Sequence, residues 1–308
     1  MNAKGSVGKS TLTMAVAETL SAYHGKRVLM IDADGQMSLS AMALPMARLA
    51  HLQSQGRTIA GFLDSLLPSR KEIDWRYFIA GEAGDVYDAR TLCLIPGDFD
   101  LAVVERDLAA ARLTGHMRER CRSLLRDATE KFDLVLVDCS PGISAATECW
   151  LRECDWHLIP VKPDILAVVG CQYLMNFRYR SPDIPFARHL GVVVNMKQAG
   201  SEADAAIHEL LLASRELACF PVAIPLIQHI QKSALCSSEE RSYHNKYPGE
   251  AGRALRAIVQ ELLLRVSDTQ IDRIRYEPAT EAVQAAIFRS CTGAARAAFQ
   301  FQGRSSAS

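Results

Sequence analysis

Lys4-Gly5-Ser6-Val7-Gly8-Lys9-Ser10-Thr11 stands directly ahead of a stretch, Ser10 to Tyr23, in which Leu12, Ala15, Val16 and Leu20 fall on one side at helical spacing. Small residues let backbone N–H groups approach phosphate oxygens, and the helix that follows adds its positive end. Lys9 supplies a point charge for the outer phosphates, and the Ser10 hydroxyl is placed to hold Mg²⁺. The G-x-x-x-x-G-K-[ST] template is one glycine short, because Ala3 occupies its first position, while an additional lysine stands at Lys4. A glycine-rich turn capped by a helix is the plain alternative.

Outward from this loop, short apolar runs alternate with longer stretches of helical period, the pattern of a parallel sheet covered by helices on both faces. Arg27 to Asp32, Thr91 to Ile95, Asp133 to Asp138, Trp156 to Val161 and Leu190 to Asn195 are nearly continuous apolar runs, as strands buried on both sides are. Helices are predicted over Ser10 to Tyr23, Leu101 to Ala111, Arg118 to Lys131, Ser144 to Arg152, Leu166 to Tyr179, Glu202 to Glu216 and Glu250 to Val266. Leu44 to Arg90 reads as an insertion with short helices on the sheet edge. Residues 1–267 form the predicted α/β unit, and 268–308 a helical extension ending in a frayed tail.

Composition bounds the function. Thirty-five Lys and Arg balance thirty-five Asp and Glu in 308 residues, so only a local basic patch is available for nucleic acid. Nine cysteines without CxxC pairs, no signal segment and no apolar run near the roughly 20 residues that span a bilayer lead to the expectation of a cytoplasmic protein with reduced thiols.

Several strands end in a polar residue, and ligands of open α/β sheets bind beyond those carboxyl ends, where Asp32, Asp138 and Asn195 converge. Asp138 closes a buried run, where an unpaired carboxylate is costly, and Mg²⁺ offers the compensating charge. Helix capping is its structural alternative. Asp32 and Asp34 share a face if their strand continues that far, and both then point toward a nucleotide, with Asp32 on the metal side. Turn-forming aspartates ahead of Gly35 are the alternative.

The eight residues from Lys4 to Thr11 resemble the deviant Walker A box, KGGxGK[ST], of the ParA/MinD superfamily of P-loop ATPases. Ile31-Asp32-Ala33-Asp34-Gly35-Gln36 is similar to that superfamily's DxDPQ box. Leu94 to Leu101 is similar to its LIPs..DL segment, Phe132 to Pro141 to its Walker B strand, and Leu158 to Pro163 to its LIPvqp strand. The resemblance covers about residues 1 to 265 and is closest to the ParA branch. It implies a P-loop NTPase fold binding ATP and Mg²⁺ through Lys4, Gly5, Ser6, Val7, Gly8, Lys9, Ser10 and Thr11, with Asn195 and Pro225 at the adenine. It also implies that Lys4 crosses to the nucleotide of a second subunit in an ATP-dependent homodimer, and that Asp34 orients the attacking water. Its further implications are a ParB-like activator, nonspecific DNA and a role in plasmid or chromosome partition, with nucleoid association possible inside the cytoplasm.

Departures stand beside these matches. Ser6 replaces a glycine, Gly35 the usual proline, and Gly142 a second proline or serine. Ile224 to Ala234 lacks the expected arginine and glutamate. A membrane-positioning ATPase of the MinD kind and an ATP-dependent amidotransferase or ligase of the same fold are the alternative readings. Cys139, Cys149 and Cys154 read as buried thiols, and His24, His157, His189 and His208 as isolated. Arg178, Arg180, Arg188 and His189, interleaved with Phe177 and Tyr179, form either a DNA-facing patch or a solvated face. Only Met1, Asn2 and Ala3 precede Lys4, so the strand that leads into such a loop is expected to be missing. The expected outcomes are an empty slot in the sheet, an upstream extension, or filling by Leu44 to Arg90 or a partner chain.

Overall fold

The computed structural model describes residues 7–164, 184–226 and 239–268, with isolated positions between 170 and 181 and at 236 and 237. Lys4, Gly5 and Ser6, most of the helix expected at 166–179, the segment 227–235 and the extension from 269 onward lie outside the described residues.

Every predicted strand within that range forms. β1 (Val28–Ala33) is central in a parallel sheet of order β2-β1-β3, with β2 at Leu92–Ile95 and β3 at Leu134–Cys139. β4 (Trp156–Val161) and β5 (Arg188–Val194) form a second parallel pair. β1 is buried throughout because helices cover both of its faces. Val28 and Met30 pack toward α1 (Lys9–His24) and α10 (Gly249–Ser267). Leu29, Ile31 and Ala33 pack toward α4 (Ile59–Asp64), α5 (Leu101–Ala110), α6 (Thr114–Ala128) and α7 (Ala145–Glu153). Further helices among the described residues include α2 (Ser38–Ala43), α3 (Met46–Ser54), α8 (Glu202–Ala213) and α9 (Tyr243–Lys246).

The 44–90 segment packs on the sheet edge, as expected from its irregular pattern. Ala80 bridges Leu94 antiparallel, with Ala80 N donating to Leu94 O at 2.7 Å and Leu94 N to Ala80 O at 2.9 Å, so the outer edge of β2 is covered. This segment therefore does not fill the centre of the sheet. Among the described residues β3 pairs only with β1, and a cavity of about 330 Å³ lies between β3 and β4. Leu134 and Leu136 line one side and Trp156 and Leu158 the other, with Val16, Trp150 and Leu262 closing it. Leu134 to Val137 are half-buried there, whereas every residue of β1 is buried. Among the described residues the named strands thus form two parallel pieces with an apolar cavity between them.

Candidate nucleotide site

Three segments meet at the carboxyl ends of the strands. The first is the turn into α1. Gly8 sits at the helix start with φ 78°, a left-handed conformation natural to glycine, and a Cβ there would lie 2.5 Å from Asn195 Nδ2. Asn195, the residue after β5, donates from Nδ2 to Val7 O at 2.9 Å and accepts at Oδ1 from Met196 N at 3.0 Å. The loop is pinned to β5 by this side chain. α1 has no side-chain cap at its amino end, which leaves that end to an anion. Lys9 and Ser10 open the helix, with Thr11 behind them, all half-buried.

The second segment is the pair of carboxylates at the ends of β1 and β3. Asp32 and Asp138 are opposite each other in the parallel register and are 0% and 2% exposed. Burial pushes Asp32 up to about 8, and the neighbouring Asp138 charge adds to the rise. Burial also lifts Asp138 to about 6, drawn partly back by hydrogen bonding from Ser10 and the charge of Lys9. Asp138 Oδ2 has no hydrogen-bond partner. Ser144, not Asp138, caps α7, so the capping alternative is excluded. Two buried carboxylates, one orphaned oxygen and an adjacent serine hydroxyl form a hard oxygen donor set, and it fits Mg²⁺.

Those shifts fix a pH dependence for the nucleotide-free protein. A folded carboxyl that holds its proton more tightly than the unfolded chain loses stability as pH rises from its ordinary 3.8 to its folded value. Burial holds His157 and His189 below the ordinary histidine value of 6.5, so between their folded pKa and 6.5 they add stability as pH rises. The clean window is therefore pH 6.5 to 8. The melting temperature is expected to fall across it, and Asp32→Asn is expected to flatten the slope. A flat or rising melting temperature in the unsubstituted protein contradicts the assignment.

β1 ends at Ala33, so the condition that would align Asp34 with Asp32 along a strand is not met. Asp34 instead forms the following turn, accepting from Gln36 N at Oδ1 (3.0 Å) and from Met37 N at its carbonyl (2.9 Å). It remains in the site, since its charge acts on Asp138. The sequence reading missed Ser40, whose amide and hydroxyl both donate to Asp32 Oδ2, at 2.8 and 2.6 Å. A serine on the short helix after the Asp-x-Asp turn was the available signal.

The third segment follows β5. Lys197 bridges Pro225, with Lys197 N donating to Ile224 O at 3.0 Å and Leu226 N to Lys197 O at 2.8 Å. Pro225 is thereby brought beside Asn195 at the same end of the strands. A second cavity of about 550 Å³ opens here, lined by Lys197, Ser201, His208 and Pro225.

Two expectations about other residues are corrected. His157 and His189 are not isolated: His189 Nδ1 lies 3.0 Å from His157 Nε2, and His157 Nδ1 donates to Ala187 O at 2.9 Å. Adjacent positions on β4 and β5 bring them together. His208 Nδ1 lies 3.2 Å from Lys197 Nζ. The group at Arg178 to His189 is not a uniform basic face, because Arg188 stacks on Trp156 at 3.9 Å and His189 faces inward. The thiols of Cys139, Cys149 and Cys154 are free, and burial raises all three, as expected of structural cysteines.

Residues 1–180 match the AAA_31 family model, described as an AAA domain. The chromosome partitioning protein ParA of Caulobacter vibrioides is 30% identical over 198 residues, 63% of this chain and 67% of the relative. A putative replication protein A of Rhizobium rhizogenes is 30% identical over 175 residues, 55% of this chain but only 41% of that longer protein. Among solved structures, cobyrinic acid a,c-diamide synthase of Mycobacterium smegmatis, with bound ATP analogue and magnesium, is similar at TM-score 0.66 and 18% identity, covering 87% of this chain and 94% of that one. The pNOB8 ParA bound to nonspecific DNA is similar at TM-score 0.58 and 22% identity, covering 88% and 98%.

Proposed function

Since the chain belongs to the AAA_31 family and is a P-loop NTPase of the ParA/MinD type, we propose that it hydrolyses ATP with Mg²⁺ and uses bound nucleotide to switch between monomer and dimer. The observation that carries the reading is the convergence of the uncapped α1 terminus with Asp32, Asp138 and its orphaned Oδ2 at one end of the strands. Loop amides from Gly5 to Ser10 and the Lys9 ammonium bind the phosphates. Ser10, Asp138 and Asp32 hold the ion, which when bound neutralises developing phosphoryl charge. Asp34, held by its turn, orients the water that attacks the terminal phosphorus as the bond to ADP breaks. Asn195 and Pro225 face the base. Lys4 reaches the nucleotide of a second copy and plays the part an arginine finger plays in other NTPases.

The switch serves partition of DNA or another cargo, with nonspecific DNA and a ParB-like activator as partners. Support comes from the ParA relatives and from the similarity to the pNOB8 ParA bound to nonspecific DNA. Residues 1–267 are the ATPase unit in this reading, and 268–308 an extension. No helix among the described residues is long and apolar enough to cross a membrane. Likeness to the diamide synthase, at 18% identity, concerns fold and not substrate.

Light scattering tests the switch. ATP with Mg²⁺ is expected to double the mass of the unsubstituted protein, and Lys4→Ala to lower both dimer yield and turnover. Unchanged dimerisation and turnover in Lys4→Ala would remove the role in trans.

A further inference from the structure

We propose that Ser40 is a positioning residue that fixes the Asp32 carboxylate for binding of the metal–nucleotide complex, an inference that rests on the functional reading above. Hydrogen-bond directions decide the geometry. Gly97 N donates to Ser40 Oγ at 2.8 Å, and an amide cannot accept, so the single Ser40 hydroxyl proton is free to go to Asp32 Oδ2, 2.6 Å away. The Ser40 amide donates to the same oxygen at 2.8 Å. One carboxylate oxygen therefore receives two donors from one residue.

Gly97 closes the other side. A Cβ on Gly97 would stand 3.1 Å from both Cγ and Oδ2 of Asp32, so the carboxylate is packed against glycine backbone. Ser40 is fully buried, and Gly97 is buried too. With Oδ2 committed, Oδ1 is the oxygen left for the site, held only by a long 3.4 Å contact from Asp34 N. The chain of bonds joins the end of β1, the short helix α2 eight residues on and the distant loop after β2, so three segments set the orientation of one carboxylate. Ser40 is not a catalytic residue in this account; it acts through Asp32.

The probe is Mn²⁺ in the presence of ADP, read by electron paramagnetic resonance, together with ATP turnover and thermal melting. Loss of a hydrogen bond to a charged group is expected to weaken Mn²⁺ binding about tenfold in Ser40→Ala and to lower kcat comparably. ADP affinity without metal is expected to be unchanged. Gly97→Ala presses on the same carboxylate from the opposite side and is expected to show the same split between metal and nucleotide; it stands as the independent arm if Ser40→Ala does not fold. In an Asp32→Ala background Ser40→Ala should cost nothing further in Mn²⁺ affinity, since a positioning residue has nothing left to position. Undiminished Mn²⁺ affinity in both single variants overturns the proposal, as does an equal further loss in the Asp32→Ala background. An unsubstituted protein that binds no Mn²⁺ with ADP overturns this proposal and the functional reading together, a result distinguishable from failure of Ser40 alone.

Discussion

Lys246→Ala is expected to lower the folding stability by about 3 to 5 kcal/mol, because it leaves the buried Glu18 carboxylate without its counter-charge. The Lys246 side chain is fully buried, with Nζ 2.7 Å from Glu18 Oε1 and 2.7 Å from Asp85 Oδ1. Tyr247 donates its hydroxyl to Glu18 Oε2 at 2.6 Å, and Arg241 pairs with Asp85 Oδ2 at 2.6 Å. Two acids and two bases thus balance. Burial raises Glu18, and Lys246 is the largest influence pulling it back; at Asp85 the ion pairs overcome burial and the net shift is downward. Removing the lysine abandons Glu18 in the middle of α1, the helix that begins at the phosphate loop. Urea unfolding measures the loss. A change under about 1 kcal/mol would show that Glu18 simply takes a proton at little cost, against the several kcal/mol typical of broken buried pairs.

Lys9→Ala and Asp34→Ala are expected to fail in different ways. Lys9 is half-buried at the head of α1, and its charge acts on Asp138. Its removal deletes the point charge for the outer phosphates, and ATP affinity is expected to fall about a hundredfold or more. Asp34 accepts from Gln36 N in its own turn, its charge acts on Asp138, and it is absent from the phosphate loop. Its replacement is expected to spare ATP affinity within a few-fold and to lower turnover about a hundredfold, the usual cost of losing a water-positioning or general-base group.

The strands were legible because β1 is buried on both faces and so reads as a continuous apolar run, with no alternation to decode. Asp32 and Asp138 were legible for the same reason, as charges closing apolar runs. Gly8 and Lys9 announced themselves by local chemistry. What escaped was long-range pairing. Glu18 and Lys246 are 228 residues apart, and His157 and His189 are 32 apart; nothing in either neighbourhood of the sequence encodes its partner. Ser40 escaped because a serine in a short helix has an ordinary local role in the turn chemistry around it. For Asp34 the sequence left a strand and a turn open; β1 stops at Ala33, one residue short, and the turn forms. The apolar cavity beside β3 was not legible, because its walls, from Trp150 to Leu262, are set by tertiary packing alone.

Phosphate release and ATP binding, measured side by side on the unsubstituted protein, Lys9→Ala and Asp34→Ala with Mg²⁺ present, separate nucleotide binding from hydrolysis. Binding and hydrolysis are expected of the unsubstituted protein, neither of Lys9→Ala, and binding with about a hundredfold less hydrolysis of Asp34→Ala. Full hydrolysis by Asp34→Ala, or no ATP binding by the unsubstituted protein, would contradict it.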